Sequence, residues 1–289
     1  RAGVHPAIAG SAVFAGTYGS VLSPGSPHPA FIAKLANTDL MTVIASHSLA
    51  AFTCAFIGAI TLMVVAIIRK EHTNYQPEGL TDDTAANFKI NYLMAIVPII
   101  PLFLLVLGSK QVNMLPPVTV PQAMLFGTLL GLIVCRSNPR HITTKFFDGM
   151  GNAYGNVIGI IIAAAVFTEG MKIIGLTDAL IEGMKHSEHI AKFAAAFGPM
   201  IIAILCGSGD AATLAFNGAI TPNAADFGYG ISQMGSLSLI SGSLGRTMSP
   251  VAGAAIVCAQ LAGVDPMELA KRNAPGMILA SIAAMLILL

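Results

Sequence analysis

Residues 242–250 read Gly242-Ser243-Leu244-Gly245-Arg246-Thr247-Met248-Ser249-Pro250 and interrupt an apolar segment that runs over 230–262. The two glycines permit non-helical backbone angles, and Pro250 keeps the hydrogen-bond ladder from re-forming. The same G-x-x-G-x-x-x-S-P pattern stands at Gly16-Thr17-Tyr18-Gly19-Ser20-Val21-Leu22-Ser23-Pro24, 242 − 16 = 226 residues earlier. Ala33, Leu35 and Ala36 then face Ala259, Leu261 and Ala262, which makes seven identities in 21 ungapped positions, and Thr17 faces Ser243. Shared Gly and Ala are weak evidence in an apolar chain. The Ser-Pro pair behind paired glycines is stronger, and we read the two segments as copies of one repeat.

A helix broken inside a membrane leaves N–H groups bare on one half and C=O groups bare on the other, and hydrocarbon satisfies neither. A bound anion satisfies the N–H end, where the helix dipole favours it. A cation satisfies the C=O end. Interrupted apolar segments in corresponding positions of two halves therefore point to the binding site of a secondary transporter.

Outward from the second break, residues 190–206 are apolar and stop at Gly207-Ser208-Gly209-Asp210. The helical piece that follows, Ala211–Ile220, is too short to span and ends at Thr221-Pro222. Residues 190–220 are predicted to be a hairpin that enters the membrane and returns, with GSGD at its tip. Further spans are predicted at 40–68, 91–108 (kinked by Pro98 and Pro101), 119–135 and 273–289. In 151–168 the spacing of Gly151, Gly155 and Gly159, with Asn152 and Asn156 beside them, predicts a close-packed internal face.

Composition agrees with lipid as the solvent. The chain is 55% hydrophobic and 10% charged, with mean hydropathy +0.75, whereas soluble domains carry about 25% charged residues. At a net charge of +1, no basic or acidic tail points to nucleic acid or a polyanion as partner. Cys54, Cys135, Cys206 and Cys258 are scattered singly, which excludes a Cys-based zinc site and a disulfide framework. Arg69, Lys70 and Lys89 mark one basic loop, Arg136, Arg140 and Lys145 another, and Lys110 stands alone between them. The positive-inside rule puts the first two in the cytoplasm. The chain starts with Arg, has no leader-like N-terminus, and has no residues ahead of the first break for a matching hairpin. It is expected to be the later part of a longer protein.

The segments CGSGDAATLAFNGAITPNAADFG (206–228) and GSLGRTMSPVAGAAIVCAQLAGVDPMELAKRNAPGMILA (242–280), with GVHPAIAGSAVFAGTYGSVLSPGSPHP (3–29), resemble the DcuC-type anaerobic C4-dicarboxylate transporters over essentially the whole chain. The resemblance implies cation-coupled exchange, uptake or efflux of succinate, fumarate or malate across the bacterial inner (cytoplasmic) membrane. It also implies paired hairpins and paired broken helices that form the site, and a transport domain that moves against a scaffold. The expected fold is an all-α, polytopic, inverted-repeat secondary transporter with broken helices and a re-entrant hairpin. The expected division is 1–39 as the end of the first repeat, 40–145 as scaffold-type helices and loops, and 146–289 as the second repeat.

Each candidate site residue has a structural alternative. Ser208, Gly209 and the tip N–H groups offer donors to a substrate carboxylate, or form a plain turn with Asp210 as helix cap. Asp210 is also the candidate for cation coupling, with Na+ or H+ as the ion and no other cofactor. Arg246 is a candidate bidentate carboxylate clamp, or snorkels, or bridges scaffold carbonyls. The break hydroxyls Thr17, Ser20, Ser23, Ser243, Thr247 and Ser249 bind substrate or cation, or cap their own helix ends. Gly19 and Gly245 shape the breaks. His28, just past the first break, is a weaker substrate candidate. His47, Asn217, Asn152 and Asn156 are expected to be packing residues, and Glu169 with Lys172 a structural pair.

The expected partners are a small organic anion and lipid, with self-association into a homo-oligomer left open. A transporter of amino acids or other organic anions fits the same architecture, with Asp210 receiving the amine. A channel fits the paired breaks less well. An intramembrane enzyme lacks its signature: there is no HExxH, no GxSxG and no second aspartate in an apolar run to partner Asp210.

Overall fold

The computed structural model describes residues 3–73, 92–109, 112–135, 139–175, 179, 182 and 188–289. These are mostly helical, with no strand among the described residues. The chain divides into two compact units. One comprises residues 1–22, 26–75 and 159–289, and the other 23–25 and 76–158.

The larger unit opens with α1 (Pro6–Gly16), a 3-10 stretch (Thr17–Leu22) and α2 (Pro27–Leu35), followed by the long α3 (Leu40–Ile68). Pro6 and Pro27 stand in the first turns of their helices, where a missing N–H costs nothing. α3 starts at Asp39, whose carboxylate accepts from Thr42 N at 3.0 Å and Thr42 Oγ1 at 2.9 Å. It is the one helix among the described residues that is long and apolar enough to cross a membrane. Val43, His47, Ala50, Cys54, Gly58 and Leu62 form its buried stripe, while Leu49, Phe52, Phe56, Met63 and Ile67 are exposed. An exposed stripe of large apolar side chains on a 29-residue helix is what lipid solvates and water does not.

The rest of this unit is α8 (Gly159–Ile173), α9 (Glu188–Cys206), α10 (Gly209–Ala219), a 3-10 stretch (Thr221–Phe227), α11 (Ile231–Arg246), α12 (Gly253–Ala262) and α13 (Pro266–Leu288). Every residue of α11 from Met234 to Gly245 is buried. Its glycines let neighbours approach to backbone contact. A Cβ on Gly235 would lie 3.1 Å from Ile32, and one on Gly245 would collide with the Met200 backbone. The second interruption is shorter than the sequence suggested: α11 runs unbroken through Gly242 and Gly245 to Arg246, and the break is confined to 247–252, whereas α1 stops at Gly16. α2 and α12 begin 253 − 27 = 226 residues apart, and α3 and α13 begin 266 − 40 = 226 apart. The register persists through the joints. Asn37 (φ 51°) and Gly263 (φ 65°) are the left-handed stops, and Asp39 and Asp265 are the N-caps.

α3 and α13 pack antiparallel. Cys54 Sγ donates to the Ala280 carbonyl at 3.1 Å, and a Cβ on Gly276 would lie 3.3 Å from Gly58 Cα. The indices therefore rise on one helix as they fall on the other. At the end of α3, Arg272 (side chain 4% exposed) forks onto Glu71, with Nε–Oε2 2.8 Å and Nη2–Oε1 2.5 Å, and reaches Glu268 at 2.6 Å. Arg272 holds the Glu71 carboxyl below its ordinary range, chiefly through these hydrogen bonds. A carboxyl depressed on folding contributes stability above its unfolded value of about 4.3, and that stability is lost as pH falls through the folded value. The melting midpoint of the solubilised protein is expected to drop below about pH 4.3, and Glu71→Gln to flatten that dependence. Arg272→Ala, which leaves a mostly buried carboxylate unpaired, is expected to cost about 3–5 kcal/mol.

The smaller unit holds α4 (Tyr92–Ile96), a 3-10 turn (Val97–Ile99), α5 (Ile100–Leu107), α6 (Val120–Cys135) and α7 (Pro139–Ala153) with a π turn (Tyr154–Ile158). Gly127 of α6 receives the Pro101 ring of α5. The span predicted over 91–108 with kinks at Pro98 and Pro101 is helical over 92–107 with a 3-10 turn at Val97–Ile99, and Pro101 falls in the first turn of α5.

Two expectations fail here. Residues 139–148, read as a basic loop, are helical, because Pro139 starts α7 and the segment is amphipathic. Gly151 and Gly155 do not lie on a packed face, since a Cβ on either meets nothing within 4 Å among the described residues. Residues Lys89, Lys110 and Arg136, and the side chains of Asn152, Asn156 and Lys172, lie outside the described residues.

Candidate functional site

The hairpin of α9 and α10 turns at Gly207 (φ 73°), which donates its N–H to Ala203 O at 2.9 Å. Ser208 caps α10, its hydroxyl accepting from Ala211 N at 3.1 Å. Ser208 rather than Asp210 is therefore the cap, and the Asp210 carboxylate is free for another role. Its Oδ1 accepts from His28 Nε2 of α2 at 2.8 Å. His28 is buried, whereas 60% of the Asp210 side-chain surface stays exposed.

The tip lies directly on the second break. A Cβ on Gly207 would stand 3.0 Å from Ala252 N and the Val251 carbonyl, and one on Gly209 would be 2.7 Å from Gly242 O and 3.3 Å from Arg246 Cβ. Only glycine permits this approach. Ser249 Oγ donates to Ile204 O at 2.7 Å and pins α9 to the break.

Arg246 joins the second break to the first. Its Nη2 donates to Thr17 Oγ1 at 2.9 Å and Thr17 O at 3.3 Å, and Thr17 Oγ1 donates to Phe14 O at 2.7 Å. The first turns of α2, α10 and α12 thus gather about one tip, through His28 on Asp210 and Gly207 on Ala252. Neither Ser26 nor Ala252, the N-caps of α2 and α12, supplies a side-chain acceptor to its helix. Uncapped N–H groups, one arginine and one histidine are donors that suit carboxylates. Among the described residues, open space adjoins them, because a Cβ on Gly16, Gly19 or Gly253 meets nothing within 4 Å.

Of the sequence candidates, Ser208, Gly209, Asp210, Arg246 and Thr17 come together at the tip. Gly19 and Ser20 are exposed on the 3-10 stretch beside them. Gly245, Thr247 and Ser249 reach the same place but are buried. Gly245 packs on Met200, and the Thr247 and Ser249 hydroxyls are committed to the carbonyls of Leu244 and Ile204. Ser243 is likewise buried, and Ser23 groups with the smaller unit. Asn217 is a packing residue, donating to Gly235 O and accepting from Thr221 Oγ1. His28 takes a larger part than its sequence position suggested. Asn273, which sequence reasoning passed over, donates to Thr247 O at 3.1 Å. Extending the 226-residue register one helix further would have found it, since it falls opposite His47. An apolar cavity of about 200 Å³ beside the first break, lined by Ala12, Gly16, Tyr18, Cys54 and Gly58 among others, has no charged group and does not suit a dianion.

The chain is 42% identical over 270 residues to a Haemophilus influenzae transporter whose function is uncharacterised, covering 90% of this chain and 97% of that one. It is 26% identical over 280 residues to the anaerobic C4-dicarboxylate transporter DcuC of Escherichia coli K12, covering 92% of this chain and 59% of DcuC. No solved structure matches it. The family model for the DcuC C4-dicarboxylate anaerobic carriers matches residues 1–289, and the chain belongs to that family of membrane transporters.

Proposed function

We propose that the protein moves C4-dicarboxylates, namely succinate, fumarate and malate, across the bacterial cytoplasmic membrane by exchange, uptake or efflux. The observation that carries this reading is the meeting of hairpin tip, second break and first break through Arg246 and Thr17, in a chain of this family. One carboxylate of the substrate takes Arg246 and the tip donors, and the other takes the uncapped first turn of α12 with the His28 and Ala30 N–H groups of α2, where Pro27 and Pro29 have none. Asp210 is the proposed site of a coupling Na+ or H+.

The architecture we infer is multi-pass and inverted. Cys54 and Ala280 occupy the same repeat position (280 − 54 = 226) and touch each other on antiparallel helices. A two-fold axis across both helices, lying in the membrane plane, produces that contact. The reciprocal packing of α1 on α12 and α2 on α11 fits the same axis. On this reading each repeat takes in the long helix after its broken one. α10 has 11 residues, about 16 Å at 1.5 Å per residue, and so reaches halfway into a hydrocarbon core of about 30 Å and returns.

The test is counterflow of labelled succinate in proteoliposomes containing the purified protein. Saturable exchange competed by fumarate is expected. No succinate exchange alongside uptake of another solute, an amino acid for example, would discard the substrate and keep the architecture.

A further inference from the structure

His47 and Asn273 stand 273 − 47 = 226 residues apart, at one position of the two repeats, on α3 and α13. Both are buried polar side chains, 0% and 1% exposed. His47 Nε2 lies 3.1 Å from Val21 O, and Asn273 Nδ2 lies 3.1 Å from Thr247 O. Val21 and Thr247 are also 226 apart, so each side chain serves the same carbonyl in its own break. The second contacts go to corresponding half-helices, though one position out of register (236 − 11 = 225) and to a hydroxyl in one case and a carbonyl in the other. His47 Nδ1 meets Ser236 Oγ of α11 at 3.1 Å, and Asn273 Nδ2 meets Ser11 O of α1 at 3.3 Å. Each side chain therefore reaches across to the first half-helix of the other repeat.

We infer that His47 and Asn273 are a matched pair of positioning residues, each holding its own break open and tying it to the half-helix of the other repeat. A carbonyl freed by a helix break needs a donor wherever water is excluded. Without one, the break shifts until its carbonyl finds another partner, and the groups at the break move with it. Because Asn273 also holds Ser11, and His47 also holds Ser236, α3 and α13 lock the two breaks into one body.

The hydrogen bonds set what each position tolerates. Val21 O only accepts, so His47 Nε2 carries the proton and Nδ1 accepts from the Ser236 hydroxyl. Position 47 thus needs one donor and one acceptor, and an amide has both. Asn273 donates twice, to Thr247 O and Ser11 O, and a neutral imidazole has a single N–H. The exchange is therefore one-directional: Asn substitutes for His47, and His does not substitute for Asn273.

The inference rests on the transport reading for its effect on substrate, so the test has two arms. In counterflow, His47→Asn is expected within about threefold of the wild-type KM, while His47→Leu and Asn273→His raise KM about tenfold or more. In thermal unfolding of the solubilised protein, which needs no substrate, His47→Asn is expected to melt near wild type and the other two earlier, or to fail to yield folded protein. Wild-type protein that exchanges no dicarboxylate sinks the transport reading and leaves the melting order to decide the pairing. His47→Asn behaving as badly as His47→Leu, or Asn273→His matching wild type in both arms, overturns the pairing.

Discussion

Arg246→Ala is expected to raise the KM for succinate at least about thirtyfold, with the protein still folded. Removing one partner of a buried, hydrogen-bonded charge pair costs about 2–5 kcal/mol, and each 1.4 kcal/mol is tenfold. Arg246 is the arginine at the contact of both breaks with the hairpin tip, and in this structure it spends one nitrogen on Thr17. The guanidinium has five N–H donors, so the Thr17 contact leaves a fork for a carboxylate. Arg246→Lys is expected to recover the charge without the fork and to give an intermediate KM. The competing role, a bridge between the two breaks, is separated by Thr17→Val. That change removes the hydroxyl contact and keeps the charge, and is expected to move KM by no more than about threefold. If Arg246→Ala keeps the wild-type KM, or Thr17→Val costs as much as Arg246→Ala, the arginine is a strut and not a clamp.

The parts of this site that sequence made legible are those set by backbone chemistry. Gly207, Gly209 and the Ser-Pro breaks announce themselves because glycine takes a positive φ most readily and alone allows a neighbouring carbonyl to touch its Cα, and only proline removes a donor. The aspartate N-caps of α3 and α13 and the left-handed stops before them also fall at matched positions, just beyond the 21 positions over which the repeat was compared in sequence. What stayed hidden are partnerships that cross the chain. Asp210 reads equally as a helix cap or a cation site until Ser208 is seen in the cap and His28, 182 residues away, on the carboxylate. Thr247 and Ser249 look like ligands by repeat logic, yet burial commits their hydroxyls to carbonyls. Gly151 and Gly155 have close-packing spacing but meet no neighbour among the described residues, because periodicity reports a face and not what covers it.

The second large effect concerns coupling. Asp210→Asn is expected to leave succinate counterflow within about threefold of wild type and to reduce gradient-driven uptake at least about tenfold. A carboxylate in a membrane segment stays charged only with a partner. Here the partner is His28, itself buried, with a second ring nitrogen that has no hydrogen-bond partner among the described residues. Asparagine keeps the size and an oxygen for His28 Nε2, so the tip and the dicarboxylate half-sites stay in place. It lacks the negative charge that would draw Na+ or accept H+. Exchange returns the carrier loaded in both directions and needs no ion gradient, whereas net uptake needs the ion to bind on one side and leave on the other. His28→Gln is the complementary change, keeping a donor for Asp210 while removing the ring, and is expected to spare exchange as Asp210→Asn does. Loss of counterflow and gradient-driven uptake in equal measure in Asp210→Asn would make the carboxylate part of the substrate site. Retention of both would make it a structural anchor for α2.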